Sequence, residues 1–222
     1  YMQGKKLPDQ YAHGFFQIQK LEDRLTDPLH WKTPQRVFVN SMSDLFHPGV
    51  PIQFLAEVFE TMASWVLICK DKDCDHAEEK CWTRNQFMVL TKRPGRMYEA
   101  ITESIPAFVD QYFPGDSNMS MRVEKDNWPL KNLWLGVSVE DQQTADERIP
   151  WLLKTPAAVR FVSAEPLLGP IDFSGFFGGE HVVAPGDVVE PNYNFGIDWI
   201  IVGGESGPKS RPMKAEWVRE IR

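Results

Sequence analysis

The feature that most constrains the fold of this chain is a short apolar segment, followed at once by polar residues, that occurs five times. Such runs, rich in β-branched side chains, are typical of strands in a parallel sheet. The predicted strands are Arg36–Val39, Phe87–Leu90, Leu133–Gly136, Val159–Val162 and Trp199–Val202. The last of them is predicted to be buried on both faces. Because helical periodicity lies between the segments, the pattern predicts repeated strand–helix units with right-handed crossovers.

The length narrows this α/β fold class further. A complete eight-stranded barrel takes about 250 residues. Five strands in 222 residues, interrupted by excursions at 64–86 and 174–196, favour a single domain over 1–222 that is a partial or open (β/α) barrel. We expect the chain to be truncated at both ends, because the first unit lacks its own strand and the last helix ends after barely two turns.

Four helices can be predicted from residue spacing and start signals. Leu21, Leu25 and Leu29 repeat every four residues and predict an amphipathic helix that Pro28 ends. Apolar residues at helical spacing predict a helix after Pro51 and another that Pro94 opens. The pair formed by Thr144 and Glu147 has the pattern of a capping box and predicts the start of a fourth helix.

Composition excludes several classes of protein. The apolar fraction of 42% and charged fraction of 25% are ordinary for a globular domain. No apolar run approaches the roughly 20 residues that span a bilayer, and no leader pattern opens the chain, so we expect a cytoplasmic protein without a membrane partner. A formal charge of −7 argues against broad attraction to nucleic acid. A local basic patch could still form, and the candidate residues are Lys92, Arg93, Arg96, Lys209, Arg211 and Lys214.

The polar residues that follow the strands are the candidate site. Parallel strands place their carboxyl ends at one edge of the sheet, which is where α/β enzymes build their sites. One such strand end is most simply a turn, whereas five at one rim favour a binding site. The candidates are Asn40, Ser41, Asp44, Lys92, Ser138, Glu140, Ser163, Glu165, Gly203, Gly204, Glu205 and Ser206. No catalytic role is assigned among them.

All three cysteines lie in the first excursion. Cys69, Cys74, His76 and Cys81 supply three thiolates and an imidazole within 13 residues, a set that suits tetrahedral zinc. Three cysteines could instead hold an iron-sulfur cluster, and a charged insertion that binds no metal is equally compatible with the pattern. Zinc is preferred over iron because His76 completes a set of four ligands.

The strand ends also carry a family resemblance that covers nearly the whole chain from Leu29 onward. The sequence resembles a phage and bacterial family of unknown function that looks like radical SAM enzymes. The motifs that carry this resemblance are NSMSDLFHP, VLTKRP, LWLGVSVEDQQTADERIP, VRFVSAEPLLGPI and WIIVGGESGP.

The resemblance implies a partial barrel that binds S-adenosylmethionine and a four-iron, four-sulfur cluster at its mouth. Family members carry the cluster cysteines near the amino terminus in a loop that ends in Cys-Tyr, so Tyr1 corresponds to the residue after the last of them. The implied ligands therefore lie upstream of this chain, or the protein is a variant of the family without a cluster.

The resemblance also places the candidate residues at the barrel mouth. Gly203 and Gly204 are expected to admit close approach of a ligand, and Glu140, Glu165 or Glu205 to accept hydrogen bonds from its hydroxyls or ammonium. Lys92 or Arg93 would pair with a carboxylate or phosphate.

Two other classes of function remain open. The same carboxylates and Lys92 could perform acid–base or metal-assisted chemistry in a non-radical barrel enzyme. Alternatively, the barrel could be a module that recognises a nucleotide or a partner protein, with the cysteine insertion and its structural zinc as the contact surface. The substrate is unassigned, and a nucleic-acid component is the candidate that the phage family suggests.

Overall fold

A computed structural model describes residues 18–67, 85–113, 128–177 and 196–221. Five strands form one parallel sheet in the order of the sequence, and each strand pairs with the next. The strands are β1 Gln35–Val39, β2 Asn85–Thr91, β3 Leu133–Ser138, β4 Val159–Ala164 and β5 Trp199–Val202. All five predicted strands and their parallel arrangement are therefore confirmed.

Helices follow β1, β2, β3 and β5 in the chain. Those of the α type are α1 Ile52–Leu67, α2 Pro94–Glu99, α3 Ile105–Tyr112, α4 Gln142–Lys154 and α5 Ala215–Glu220. A π-helical turn, Ala100–Ser104, joins α2 to α3. Short 3₁₀ helices occur at Glu22–Arg24, Asp27–His30 and Ser174–Phe176. The helices predicted after Pro51 and at Pro94 are confirmed.

The sheet is curled into a half-barrel. The rings of Phe38 on β1 and Phe161 on β4 have centroids only 6.5 Å apart, although β2 and β3 lie between their strands. In a flat sheet, three strand spacings would separate β1 from β4 by about 14 Å. The contact therefore requires strong curvature, with both rings on the concave face. The predicted partial-barrel fold is confirmed.

The helices cover the convex face, where the main core lies. Side chains of β2 alternate between buried and half-buried positions, and the buried ones point towards the helices. Helix α1 contributes Leu55, Phe59 and Met62, which are at most 2% exposed. Burying an apolar side chain of this size contributes about 1.5–3 kcal/mol relative to leaving it in water. The helices consequently hold the strands in place from the convex side. The carboxyl ends of the strands remain available for polar groups.

A buried arginine fixes β4 against α4. Arg160 is 3% exposed and donates hydrogen bonds to the carbonyl oxygens of Leu152 and Thr155, at the carboxyl end of α4. A cation at that end of a helix satisfies carbonyls that lack partners within the helix and complements the helix dipole. The backbone N–H of Arg160 also donates to Asp198, which ties the beginning of β5 to β4.

Three sequence predictions are corrected. Leu21, Leu25 and Leu29 do not form an amphipathic helix; the segment forms short 3₁₀ turns that bury no residue, and Pro28 lies within the second turn. Asp141, rather than Thr144, is the N-cap of α4. The Asp141 carboxylate accepts from the N–H of Thr144, whose hydroxyl accepts from the N–H of Asp141.

Strand β5 is not buried on both faces. Trp199 is 46% exposed and the other three residues of the strand are half-buried. The physical reason is position, since β5 pairs only with β4 in the described sheet and is therefore an edge strand. Most of the two predicted excursions, at 68–84 and 178–195, lies outside the described residues.

Candidate functional site

The predicted site residues all follow or end the strands at the carboxyl edge of the half-barrel, which we call the rim. Asn40, Ser41 and Asp44 follow β1, Lys92 follows β2, and Ser138 ends β3. The remaining candidates occupy the ends of β3, β4 and β5: Glu140, Ser163, Glu165, Gly203, Gly204, Glu205 and Ser206. The contacts within the rim divide these residues into distinct groups.

Asp44 organises the part of the rim that follows β1 and β2. One carboxylate oxygen accepts from the N–H of Phe46 at 3.0 Å and from the Thr91 hydroxyl at 2.8 Å. The other accepts from the N–H of Lys92 at 3.3 Å and from Nη1 of Arg93 at 2.6 Å. Four donors thus use most of the acceptor capacity of one carboxylate. Asp44 links two rim loops and has little capacity left for a ligand.

Glu140 joins two cations at the end of β3. One of its oxygens pairs with the Lys92 ammonium, and the other accepts from Nη1 of Arg148 on α4 at 3.0 Å. The same Arg148 nitrogen donates to the carbonyl oxygen of Ser138 at 2.6 Å. Glu140 is only 14% exposed, whereas the Lys92 side chain is 54% exposed. The Lys92 ammonium is therefore held by Glu140 and still reaches solvent. Its remaining N–H groups can donate to a ligand.

Glu165 has a different environment at the end of β4. Its Oε2 accepts from the Ser163 hydroxyl at 2.9 Å, and no cation pairs with it among the residues that the structure describes. A Cβ at position 203 would overlap the Glu165 carboxylate, so the glycine at that position lets the two groups approach closely. Gly203 thus makes room for a protein carboxylate, in addition to any ligand that it was predicted to admit.

Glu205 closes the loop that follows β5. Its carboxylate accepts from Nε and Nη2 of Arg211 at 2.8 and 2.9 Å, and from the Arg211 backbone N–H at 2.7 Å. Hydrogen bonds from the Arg211 side chain and backbone lower the pKa of Glu205 to about 2. The structure therefore occupies this carboxylate within its own loop, so a ligand hydroxyl would have to compete with a bidentate arginine.

Four candidates are exposed in the loops that follow β1 and β5. Asn40 is exposed and has a φ of 56°, a left-handed conformation that asparagine tolerates better than most residues. Ser41 and Ser206 are exposed in their loops. Gly204 packs near Met213, where an added Cβ would make an ordinary contact at 3.5 Å.

Below the rim, aromatic side chains line the concave face of the sheet. We call Phe38, Trp134, Phe161 and Trp199 the ring face. Trp134 and Trp199 meet edge to face with centroids 5.8 Å apart, and Phe161 lies where a Cβ on Gly136 would be. Phe161 is fully buried yet lies outside the main core. The site therefore has an aromatic floor under a charged rim.

Of the six basic residues named for a local patch, Lys92, Arg93, Arg96 and Arg211 are engaged by acceptors of the protein itself. Arg96 donates to the carbonyl oxygens of Phe46 and Val50 and so braces the loop after β1. Lys92, Arg93 and Arg211 pair with carboxylates, as described above. Cys69, Cys74, His76 and Cys81 lie outside the described residues, so their predicted metal site stays a prediction. Within the described part of the chain, no group of three or more potential ligands is arranged to hold a metal ion.

Sequence reasoning missed Arg148 and Thr91. Neither was selected as a site residue, because their partners are distant in the sequence or separated by a helix cap. The only signal available was the charge of Arg148 in the first turns of α4, close to a strand end. The ring face was missed for another reason, since aromatic residues in strands usually belong to a core.

Fold and rim together define a class: an α/β half-barrel with a row of charged and hydroxyl-bearing side chains at the carboxyl ends of its strands. The chain belongs to the family described as protein of unknown function (DUF5131), whose model matches residues 2–73 and 74–222. No curated protein and no solved structure matches the chain. Among the described helices, none is long and apolar enough to cross a bilayer.

Proposed function

We propose that this protein is a radical-SAM-like enzyme whose rim binds S-adenosylmethionine. The observation that supports the proposal most directly is Glu165, a carboxylate that is exposed at the barrel mouth and has no cationic partner among the described residues. The five motifs that resemble the radical-SAM-like family coincide with the five strand ends that build this mouth. The proposal therefore rests on a resemblance and on a site of suitable chemistry.

The polar groups of the rim suit the two ends of S-adenosylmethionine. Its ammonium and ribose hydroxyls are donors, and Glu165 has acceptor capacity left after its bond from Ser163. Its carboxylate would pair with Lys92, whose ammonium retains donors beyond the bond to Glu140. When bound beside a reduced cluster, S-adenosylmethionine supplies a radical for chemistry on a second molecule. In this proposal, Glu165 and Lys92 bind and orient the cofactor.

No residue of this chain is assigned to the cluster. The resemblance places its cysteines ahead of Tyr1, and the described residues contain no cysteine. A separate metal site is predicted at Cys69, Cys74, His76 and Cys81, which could hold zinc or a cluster. Measuring the zinc content of the purified protein tests this prediction.

The test uses the full-length protein purified without oxygen. Iron and sulfide at about four each per chain, with a visible absorbance that bleaches on reduction, would support the cluster. Equilibrium dialysis with labelled S-adenosylmethionine would then compare the natural protein with Glu165→Gln. We expect the variant to bind about ten-fold more weakly or worse, because hydrogen bonds to a charged group are worth about 1.5–3 kcal/mol.

Glu103→Gln is the matched control, since Glu103 is an exposed glutamate in the π-helical turn between α2 and α3 and is not a rim residue. Its affinity for S-adenosylmethionine should equal that of the natural protein. Equal affinities in Glu165→Gln and the natural protein would contradict the proposed site. Zinc without iron would contradict the radical chemistry.

A further inference from the structure

We infer that the ring face binds the planar base of a nucleoside, as part of the small molecule on which the enzyme acts. The inference rests on the proposed function, since the base would belong to the second ligand at the same barrel mouth. The inference names nucleosides as the class of substrate and identifies the residues that bind the base. The residues are those of the ring face together with Ser138.

Two of the four rings, on the edge strands β1 and β5, are open to a ligand. Phe38 is 40% exposed and Trp199 is 46% exposed, although both lie on the concave side of a curled sheet. Between them, Phe161 is fully buried and lies over Gly136, which provides a rigid support. An exposed group of rings inside a concave surface is typical of a binding site, and aromatic rings favour stacking with other flat rings.

Ser138 provides a second, independent observation. Its side of β3 is the concave one, because Ser138 pairs in register with Ser163 and lies two residues beyond Gly136. The residue is only 4% exposed and lies beside the Ser163 hydroxyl in the same layer of the sheet. A hydroxyl can both donate to and accept from a polar ligand atom that enters the concave face. The edge of a nucleobase carries both donors and acceptors.

Next to Ser138, the polar groups extend towards the rim. The hydroxyl of Ser163 is already directed to Glu165 Oε2 at 2.9 Å. Along the strands, the concave side thus changes from rings to hydroxyls and then to the Glu165 carboxylate, which has no cationic partner among the described residues. A nucleoside has the same sequence of chemistry, with a flat base at one end and ribose hydroxyls at the other.

Charge favours a small nucleoside over a nucleic-acid chain. The protein carries a net charge of −7, and the rim cations Lys92, Arg93 and Arg148 are each paired with a carboxylate. Binding a polynucleotide requires a positively charged groove that follows its phosphates. The described rim offers a mixed row of charges instead. The occupant to which we commit is therefore a single nucleoside.

The experiment measures the affinity of the full-length protein for adenosine, guanosine, cytidine and uridine, each tested separately by saturation-transfer NMR and titration calorimetry. At least one should bind. In Trp199→Leu we expect its affinity to fall about ten-fold, since stacking of a base on an aromatic side chain is worth roughly that factor. Ser138→Ala should weaken binding about three-fold or more. Phe38→Leu is the second ring variant if Trp199→Leu does not fold.

The control is S-adenosylmethionine binding, which should stay within two-fold of the natural value in Trp199→Leu. Loss of S-adenosylmethionine and nucleoside binding together would show that the ring face holds the adenine of the cofactor, and would overturn a separate substrate base. Tighter binding of a twelve-nucleotide oligothymidylate than of any nucleoside would overturn the small-molecule assignment. The absence of nucleoside binding at millimolar concentration would also contradict the inference. Nucleoside binding without S-adenosylmethionine binding would refute the proposed function alone.

Discussion

Asp44 and Glu165 are two carboxylates at the same rim that differ in their hydrogen bonds, their cationic partners and their exposure. Asp44 accepts four hydrogen bonds, one of them from an arginine, and its side chain is 16% exposed. Glu165 is exposed, accepts a bond from one serine and has no cation beside it among the described residues. The comparison teaches that a polar residue at a strand end can serve the fold or remain available for a ligand. Only the contacts distinguish the two.

The same contrast separates the two sides of the rim. After β1, β2 and β3 the carboxylates of Asp44 and Glu140 are joined to Arg93, Lys92 and Arg148. At β4 the polar groups are Ser163 and Glu165, next to the ring face. We therefore assign Asp44, Glu140 and their two arginines to holding the loops in place. Ligand binding is assigned to Glu165 and to Lys92, whose side chain stays 54% exposed beside Glu140.

The largest expected effect is on the stability of Asp44→Ala. Removing this carboxylate leaves Thr91 and Arg93 without their partner, and charged hydrogen bonds of this kind contribute about 1.5–3 kcal/mol each. We expect the free energy of unfolding, measured by urea denaturation, to fall by about 2 kcal/mol or more. Glu165→Ala should change it by no more than about 0.5 kcal/mol. Similar losses in the two variants would remove the distinction between the carboxylates.

A smaller effect is expected for Gly203→Ala, which acts on Glu165 without removing it. The added methyl group would overlap the carboxylate and displace it, since the Glu165 side chain is exposed and free to move. Affinity for S-adenosylmethionine should fall about as far as in Glu165→Gln, roughly ten-fold. Gly175→Ala is the control, because nothing lies within 4 Å of a Cβ there. A Gly203→Ala protein that binds normally would show that the position of Glu165 does not matter.

The smallest expected effect is the acid response of the loop after β5. The pKa of Glu205 is lowered to about 2 from an ordinary value of 4.5, so the ionised carboxylate stabilises the folded loop. That contribution is complete above the ordinary pKa and is lost as the pH falls towards about 2. An NMR titration of Glu205 should show this low midpoint, and Arg211→Gln should return it towards 4.5. A midpoint near 4.5 in the natural protein would refute the pairing.

Much of the fold could be predicted from the sequence, because it depends on local patterns. Short β-branched runs specify the strands, and apolar residues at helical spacing specify α1. The edge position of β5 was not predictable in this way, since the run Trp199–Val202 has the composition of a central strand. Likewise, Asp141 rather than Thr144 caps α4, a choice made by backbone geometry at the helix start.

Residue type and placement at the rim were predictable, but pairing was not. Asp44 and Arg93 are 49 residues apart, and Lys92 and Glu140 are 48 apart. Which carboxylate receives which cation depends on the curl of the sheet and on the loops that reach over its edge. The ring face depends on the same curl, because it brings Phe38 of β1 to Phe161 of β4.

The most direct test of the central claim is hydrogen–deuterium exchange of the full-length, oxygen-free protein with and without S-adenosylmethionine. If the unpaired side of the rim binds the ligand, protection should increase most in peptides covering 163–168 and 200–206. Peptides covering 44–50 should change little, because Asp44 already holds that loop. Protection that is confined to 44–50, with none at the ends of β4 and β5, would contradict the assignment of the ligand to Glu165.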